Sequence, residues 1–194
     1  MKQSLTKKIA HTIVGSSLLL AATAYADLCS EGSVPVPVKG KITNNGQAPG
    51  AGFSTLGVVA MKVGKKPHVL GKMKCGIIGV SAATTEEPFA FTHTLSCDDS
   101  QPVDLSYFGL DTQVAHSQLT LDTHGDLFIE SSCAPLPGVQ ASFIEYSSPS
   151  AANTGRGLFT GVTEGDITIE GTINCLGSID MDFDGYVCLN LPSQ

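Results

Sequence analysis

From Ile167 to Asp184 apolar and polar side chains alternate: Ile167, Ile169 and Ile173 run along one arm, and Ile179, Met181 and Phe183 return along the next. A period of two marks an extended strand with one buried face, whereas a helix repeats its apolar positions every three to four residues. The pattern recurs in Met73, Cys75 and Ile77, and again in Phe89, Phe91, His93, Leu95 and Cys97. No long window carries helical periodicity, and Ser, Thr, Gly and Pro punctuate the chain about every ten residues. The chain is therefore expected to be all-β: an antiparallel β-barrel, or alternatively a β-sandwich, of about 8–10 strands.

Registers follow from matching faces, because a one-residue slip turns a whole apolar set to solvent. A three-residue loop at Cys175-Leu176-Gly177 sets Ile173 against Ile179, Gly171 against Met181 and Ile169 against Phe183. Glu170 then faces Asp182, an unfavourable pairing of like charges. A longer hairpin, Val69 to Ser81 and Phe89 to Cys97, places Ile77 opposite Leu95 and Cys75 opposite Cys97. A disulfide between Cys75 and Cys97 is the expected consequence. A third hairpin is expected around Thr123-His124-Gly125, with Leu121 facing Leu127 and Leu119 facing Ile129, its glycine last as a G1 bulge requires. Asn44-Asn45-Gly46 reads as a turn. In Val34-Pro35-Val36-Pro37-Val38 the prolines cannot donate to a ladder, so this segment reads as an edge strand or a lead-in arm.

Residues 1–26 have the form of a secretory signal. Lys2, Lys7 and Lys8 precede an apolar stretch, Ile13 to Ala22, that is too short to span a bilayer roughly 30 Å thick, and Ala24-Tyr25-Ala26 supplies the small-x-small cleavage pattern. Cys29 follows Leu28 rather than a small residue, which argues against a lipoprotein. The mature chain, 27–194, is long enough for one domain with its own core. All six cysteines (Cys29, Cys75, Cys97, Cys133, Cys175, Cys188) lie in it, none in a C-x-x-C pair. An even count in an exported domain reads as three disulfides; Cys29, Cys133, Cys175 and Cys188 supply two of them in a pairing the sequence leaves open. The expected location is periplasmic or secreted. No later stretch is apolar enough for a membrane helix. An outer-membrane barrel is disfavoured because four Tyr and no Trp leave no aromatic girdle.

Charge is segregated. Seven lysines lie between Asp27 and Cys75 against two carboxylates, while from Gly76 onward Arg156 stands alone against sixteen. The whole chain carries −7, and loss of the three lysines in 1–26 takes the mature chain to −10. Such a balance disfavours nucleic acid and anionic lipid and favours a cationic ligand or protein, although the basic N-terminal segment keeps this from being absolute. If the N-terminal strands close onto the acidic C-terminal pair, lysines and aspartates meet across the seam.

Asp180-x-Asp182-x-Asp184-Gly185 matches the first half of a calcium loop. The ninth and twelfth loop positions, however, are Cys188 and Leu191, where a ligand and a bidentate Glu are needed. The competing reading is a plain strand with its aspartates in water, alone or with Glu170 as a weak surface cation site. Ca²⁺ is accordingly the one cofactor considered. Glu170 with Asp182 also has the spacing of a glycosidase carboxylate pair, but no Trp is available as a sugar platform. His68, His93, His116 and His124 are scattered, and His93 falls on an inner face as a core histidine. No G-x-S-x-G, H-E-x-x-H, Walker or G-x-G-x-x-G motif occurs.

Gly155-Arg156-Gly157-Leu158-Phe159-Thr160-Gly161, continuing to Gly165 and the strand 166–174, resembles the glycine-spaced element of secreted calycin-like barrels of the allene oxide cyclase-like and dirigent-like kind. The resemblance covers part of the C-terminal third and implies a barrel; it carries no functional residue across. Three functions follow as expectations. The first is an exported, non-enzymatic binding or surface-exposed protein whose acidic face meets a cationic ligand or protein. The second is an inhibitor of a secreted basic enzyme. The third is a barrel enzyme acting on a small apolar molecule or a glycan. A deep apolar cavity would favour the third, a filled core with an acidic patch the first two.

Overall fold

Alternating strands that bury one face need a partner along each edge, and here the sheet supplies both by closing on itself. A computed structural model describes residues 28–47, 54–65, 68–98, 116–134, 139–150 and 155–190; the signal-like segment 1–26 lies outside them. Eight strands follow in chain order: β1 (Ser33–Gln47), β2 (Ser54–Lys65), β3 (His68–Ser81), β4 (Ala90–Asp98), β5 (His116–Ser132), β6 (Val139–Pro149), β7 (Gly165–Ile173) and β8 (Ser178–Asn190). Each is antiparallel to the next, and β8 pairs with β1 to complete the barrel. Of the two architectures expected, the barrel is the one formed.

Eight strands enclose a space that side chains can fill. Val38, Ile42, Val59, Met61, Met73, Ile77, Leu95, Leu119, Ile167, Ile169, Phe183 and Val187 fill it from all sides. Most apolar residues point inward and, Glu145 apart, the charged side chains point outward. Among the described residues no helix is long and apolar enough to cross a membrane. The glycine-spaced segment forms a 3-10 turn, Gly157–Phe159, with Gly157 and Gly161 at positive φ. Its Phe159 and the following Val162 are fully buried in the core, so the turn plugs the barrel.

Two expected registers are present residue for residue: Ile173↔Ile179, Gly171↔Met181 and Ile169↔Phe183 between β7 and β8, and Ile77↔Leu95 with Cys75↔Cys97 between β3 and β4. The 174–178 turn is held by Asn174, whose backbone N–H donates to the Ser178 carbonyl and whose side chain accepts from the Leu176 and Ser178 amides. Three disulfides join Cys75 to Cys97, Cys29 to Cys188 and Cys133 to Cys175, the covalent pattern of an oxidising compartment. The Cys29–Cys188 bridge and the Ser30–Glu164 hydrogen bonds tie the start of the described chain to its end.

Two local expectations are overturned. No turn forms at Thr123-His124-Gly125: β5 runs straight through, leaving β4 and continuing along β6. Thr123 points inward, where its hydroxyl meets His93 and Ser147, and a Cβ on Gly125 would fall 2.1 Å from the Ile144 carbonyl oxygen. That glycine serves close strand approach rather than a turn, and Leu127 and Ile129 stand exposed instead of facing Leu121 and Leu119. Likewise Asn44-Asn45-Gly46 lies within β1, pairing with Gly57, Leu56 and Thr55. Cross-strand pairing on both edges of β1 overrides the turn preference, because Asn44 is also opposite Ile179 of β8. The proline segment is held along residues 33–37 by β8 alone, and pairing with β2 begins at Val38. Pro35 and Pro37 thus sit on a stretch of β1 that, among the described residues, is paired on one edge only.

Candidate functional site

Closure of β1 onto β8 brings the basic and acidic halves of the sequence together. Lys39 is opposite Asp184 and Lys41 opposite Asp182. The Lys41 ammonium lies 3.0 Å from Asp182 Oδ1, and Thr43 Oγ1 donates to Asp180 Oδ1 at 3.2 Å. Both members of the ion pair are largely exposed, so it contributes at most about 1 kcal/mol. Beside the seam an open groove of about 1210 Å³ is lined by Lys39, Lys41, Lys62, Lys72, Lys74 and Asp98 on one side and Glu170, Asp182 and Asp184 on the other.

Asp180, Asp182 and Asp184 all project outward from β8, and Glu170 is directly across from Asp182. This is the plain-strand arrangement. A calcium loop wraps its ligands round the ion, whereas 180–185 is extended along both neighbours, β1 and β7. Successive outward carboxylates on one strand are roughly 7 Å apart. Among the described residues no group of three or more His, Cys, Asp or Glu is placed to hold a metal ion.

Inside the barrel lies a second cluster that the motifs did not reveal. His93 on β4, Asn44 on β1, Thr55 on β2 and Glu145 on β6 are all buried and share a cavity of about 20 Å³ with Phe89, Phe91, Phe143 and Met181. His93 Nδ1 shares a hydrogen bond with Thr123 Oγ1 at 3.0 Å, and Thr123 Oγ1 another with Ser147 Oγ at 2.8 Å, a polar line across β4, β5 and β6. Phe91 stacks on the His93 ring, and Phe89 meets Phe91 edge-on. Gly79 makes room: a Cβ there would lie 2.5 Å from Thr55 Oγ1 and 2.7 Å from His93 Cδ2.

Three oxygens in this chamber, Asn44 Oδ1, Thr55 Oγ1 and Glu145 Oε2, have no hydrogen-bond partner among the described residues. Burial disfavours charge, so the Glu145 carboxyl is pushed up to about 7 and the His93 imidazole down to about 4. Near neutral pH the chamber thus holds a neutral imidazole and a carboxyl close to half-protonation, a combination able to hold or pass a proton. Its size admits about one water molecule. A second cavity of about 20 Å³ among Val38, Leu95, Leu119, Phe159 and Ile167 is equally small. Neither accommodates an organic substrate.

His93 was legible on the inner face of its strand. Glu145 could have been found by the same parity, since Ala141, Phe143, Glu145 and Ser147 share a face; Asn44 was hidden within the turn-like Asn-Asn-Gly. His116 and His124 are exposed and belong to neither cluster. No protein-family model, curated protein or solved structure matches this chain.

Proposed function

We propose that this is an exported, non-enzymatic binding protein of the periplasm or extracellular medium, and that the outer face of β7 and β8 receives a cationic ligand or basic protein. The observation that carries this reading is the division between inside and outside. The barrel interior is filled to cavities of about one water, while Glu170, Asp180, Asp182 and Asp184 stand together on two adjacent strands in solvent. Of these four carboxylates, only Asp182 has an ion-pair partner among the described residues. Glu170 and Asp182 oppose one another directly, an unfavourable contact that a cation laid across the strands would relieve. An enzyme of the barrel interior draws support from His93 and Glu145 but has no room for substrate, and the binding reading is therefore preferred.

Immobilised poly-lysine provides the first test. The mature protein is expected to bind it with a steep loss of affinity on raising salt. The combined substitution Glu170→Gln, Asp180→Asn and Asp184→Asn is expected to weaken binding about tenfold or more, since several charges are removed from one contact. Binding that is unchanged by the triple substitution overturns the assignment. Inhibition of a secreted basic enzyme is the special case in which the captured partner loses its activity on binding.

A further inference from the structure

The outward side chains of β2 and β3 form a ladder that changes character along its length. In register order the facing pairs are Lys62 with Lys72, Ala60 with Lys74, Val58 with Gly76, Leu56 with Ile78, and Ser54 with Val80. The cationic end is widened by Lys39, opposite Lys62, and by Lys41, so five ammonium groups converge on the groove described above. At the other end Leu56, Val58, Ile78 and Val80 are 50% to 65% exposed although they adjoin one another. Thr43 on β1 and Thr92 and Thr94 on β4 flank this aliphatic patch, leaving it free of charge.

We propose that this face of the barrel, which adjoins the acidic strands β7 and β8 across the β1–β8 seam, docks on the surface of an anionic lipid bilayer. Two features of the ladder point to that occupant. First, Lys39, Lys62 and Lys72 are directly opposed in one row across three strands; Asp184 stands across from Lys39 and Asp98 across from Lys74, but among the described residues Lys62 and Lys72 have no carboxylate opposite them and form no ion pair. Opposed like charges are unfavourable on their own, and a sheet of phosphate headgroups removes the repulsion. Secondly, the aliphatic patch starts within about 20 Å of that row along the same strands. Leu56, Val58, Ile78 and Val80 can therefore enter the headgroup and acyl boundary while the lysines remain at headgroup level. A soluble polyanion would use the lysines and leave the aliphatic half bare. A second copy would cover the aliphatic half and leave the lysine row unrelieved. The overall negative charge does not forbid docking: exposed carboxylates farther than about 8 Å are screened at physiological salt, and the near ones, Asp182 and Asp184, stand opposite Lys41 and Lys39.

Co-sedimentation of the disulfide-intact mature protein with vesicles tests this directly. Vesicles containing phosphatidylglycerol are expected to bind it about tenfold more strongly than pure phosphatidylcholine vesicles, with the difference shrinking in high salt. Lys62→Glu with Lys72→Glu should abolish the preference, and Leu56→Ser with Ile78→Ser should lower binding to the anionic vesicles by a similar factor. All four positions are at the surface, and unchanged thermal melting of each variant establishes that it is folded. Equal binding to both vesicle types, or no binding, overturns the proposal. Loss through the lysine pair alone would mean a purely electrostatic polyanion site, and a dimer in sedimentation velocity that Leu56→Ser with Ile78→Ser dissociates would assign the patch to a second copy; either result also overturns it. The poly-lysine experiment substitutes carboxylates of β7 and β8 and leaves these lysines and aliphatic side chains intact, so the two readings fail separately.

Discussion

Replacing Glu145 by glutamine should change how stability depends on pH, in a direction that burial dictates. Glu145 is 3% exposed, projects from β6 into the chamber opposite Gly125 and Ile169, and has one carboxylate oxygen without a partner among the described residues. Its carboxyl titrates at about 7 in the folded protein against 4.5 as the ordinary value. Between pH 4.5 and 7 the folded state keeps a proton that the unfolded chain has released, so stability falls as pH rises through this window and is level above it. At 1.36 kcal/mol per pH unit the loss reaches about 3 kcal/mol. His93 acts in the opposite sense: it titrates at about 4 instead of 6.5, and its burial costs stability as pH falls from 6.5 to 4. The two contributions cancel between about pH 4.5 and 6.5, and the wild-type curve is flattened there. A glutamine side chain has nearly the same shape and no charge to bury. The free energy of unfolding of the Glu145→Gln variant relative to wild type should therefore grow by about 3 kcal/mol from pH 4 to pH 8. Urea titrations followed by circular dichroism at half-unit pH intervals, with disulfides intact, measure the difference directly. Every other titrating group is common to both proteins and drops out. A difference independent of pH would refute the argument, because it would mean that Glu145 is hydrated and charged in the folded state.

Further predictions concern the supports of this chamber and the bridges around it. Gly79→Ala forces a methyl against Thr55 and the His93 ring and should destabilise the barrel by about 1–3 kcal/mol in the same titration. Thr123→Val removes the hydroxyl shared by His93 and Ser147; stability should fall by about 1–3 kcal/mol, as expected for buried polar groups left unpaired. The Cys29–Cys188 bridge spans 159 residues and the Cys75–Cys97 bridge 22. In the loop-entropy description their losses cost about 5 and about 3 kcal/mol, so the paired serine variant of the first should melt at the lower temperature. Melting in millimolar calcium and in chelator should coincide, since the β8 aspartates are arrayed along a strand; a calcium-dependent rise would establish a cation site at Asp180, Asp182, Asp184 and Glu170.

How much of this was legible in the chain depended on how local the controlling interaction is. The β7–β8 and β3–β4 registers could be read directly because each strand alternates cleanly and its partner follows after a short loop, so one slip would expose every apolar residue. The same reasoning failed at Thr123-His124-Gly125, where a turn-like tripeptide lies inside a strand whose partners are residues 89–91 and 145–147. Face matching could not detect this, since Leu119, Leu121, Leu127 and Ile129 share a parity whether the chain turns or runs on. The Lys41–Asp182 seam was foreseeable from charge segregation once a closed barrel was assumed. The inner chamber was not, because Asn44, Thr55, His93 and Glu145 come from four strands spread over a hundred residues and meet only when the barrel closes.

The extended backbone and the inward and outward parity of β3, β4, β7 and β8, the even cysteine set and the unequal distribution of charge were thus set by the order of residues alone. Those are properties of single segments or of composition, and short-range sterics and hydrophobic alternation are enough to impose them. Only the assembled barrel settled that the sheet closes between β1 and β8, which cysteines outside the β3–β4 hairpin are joined, and which polar groups are buried together. Each of these depends on which distant strand completes an open edge, and packing around the whole circumference makes that choice.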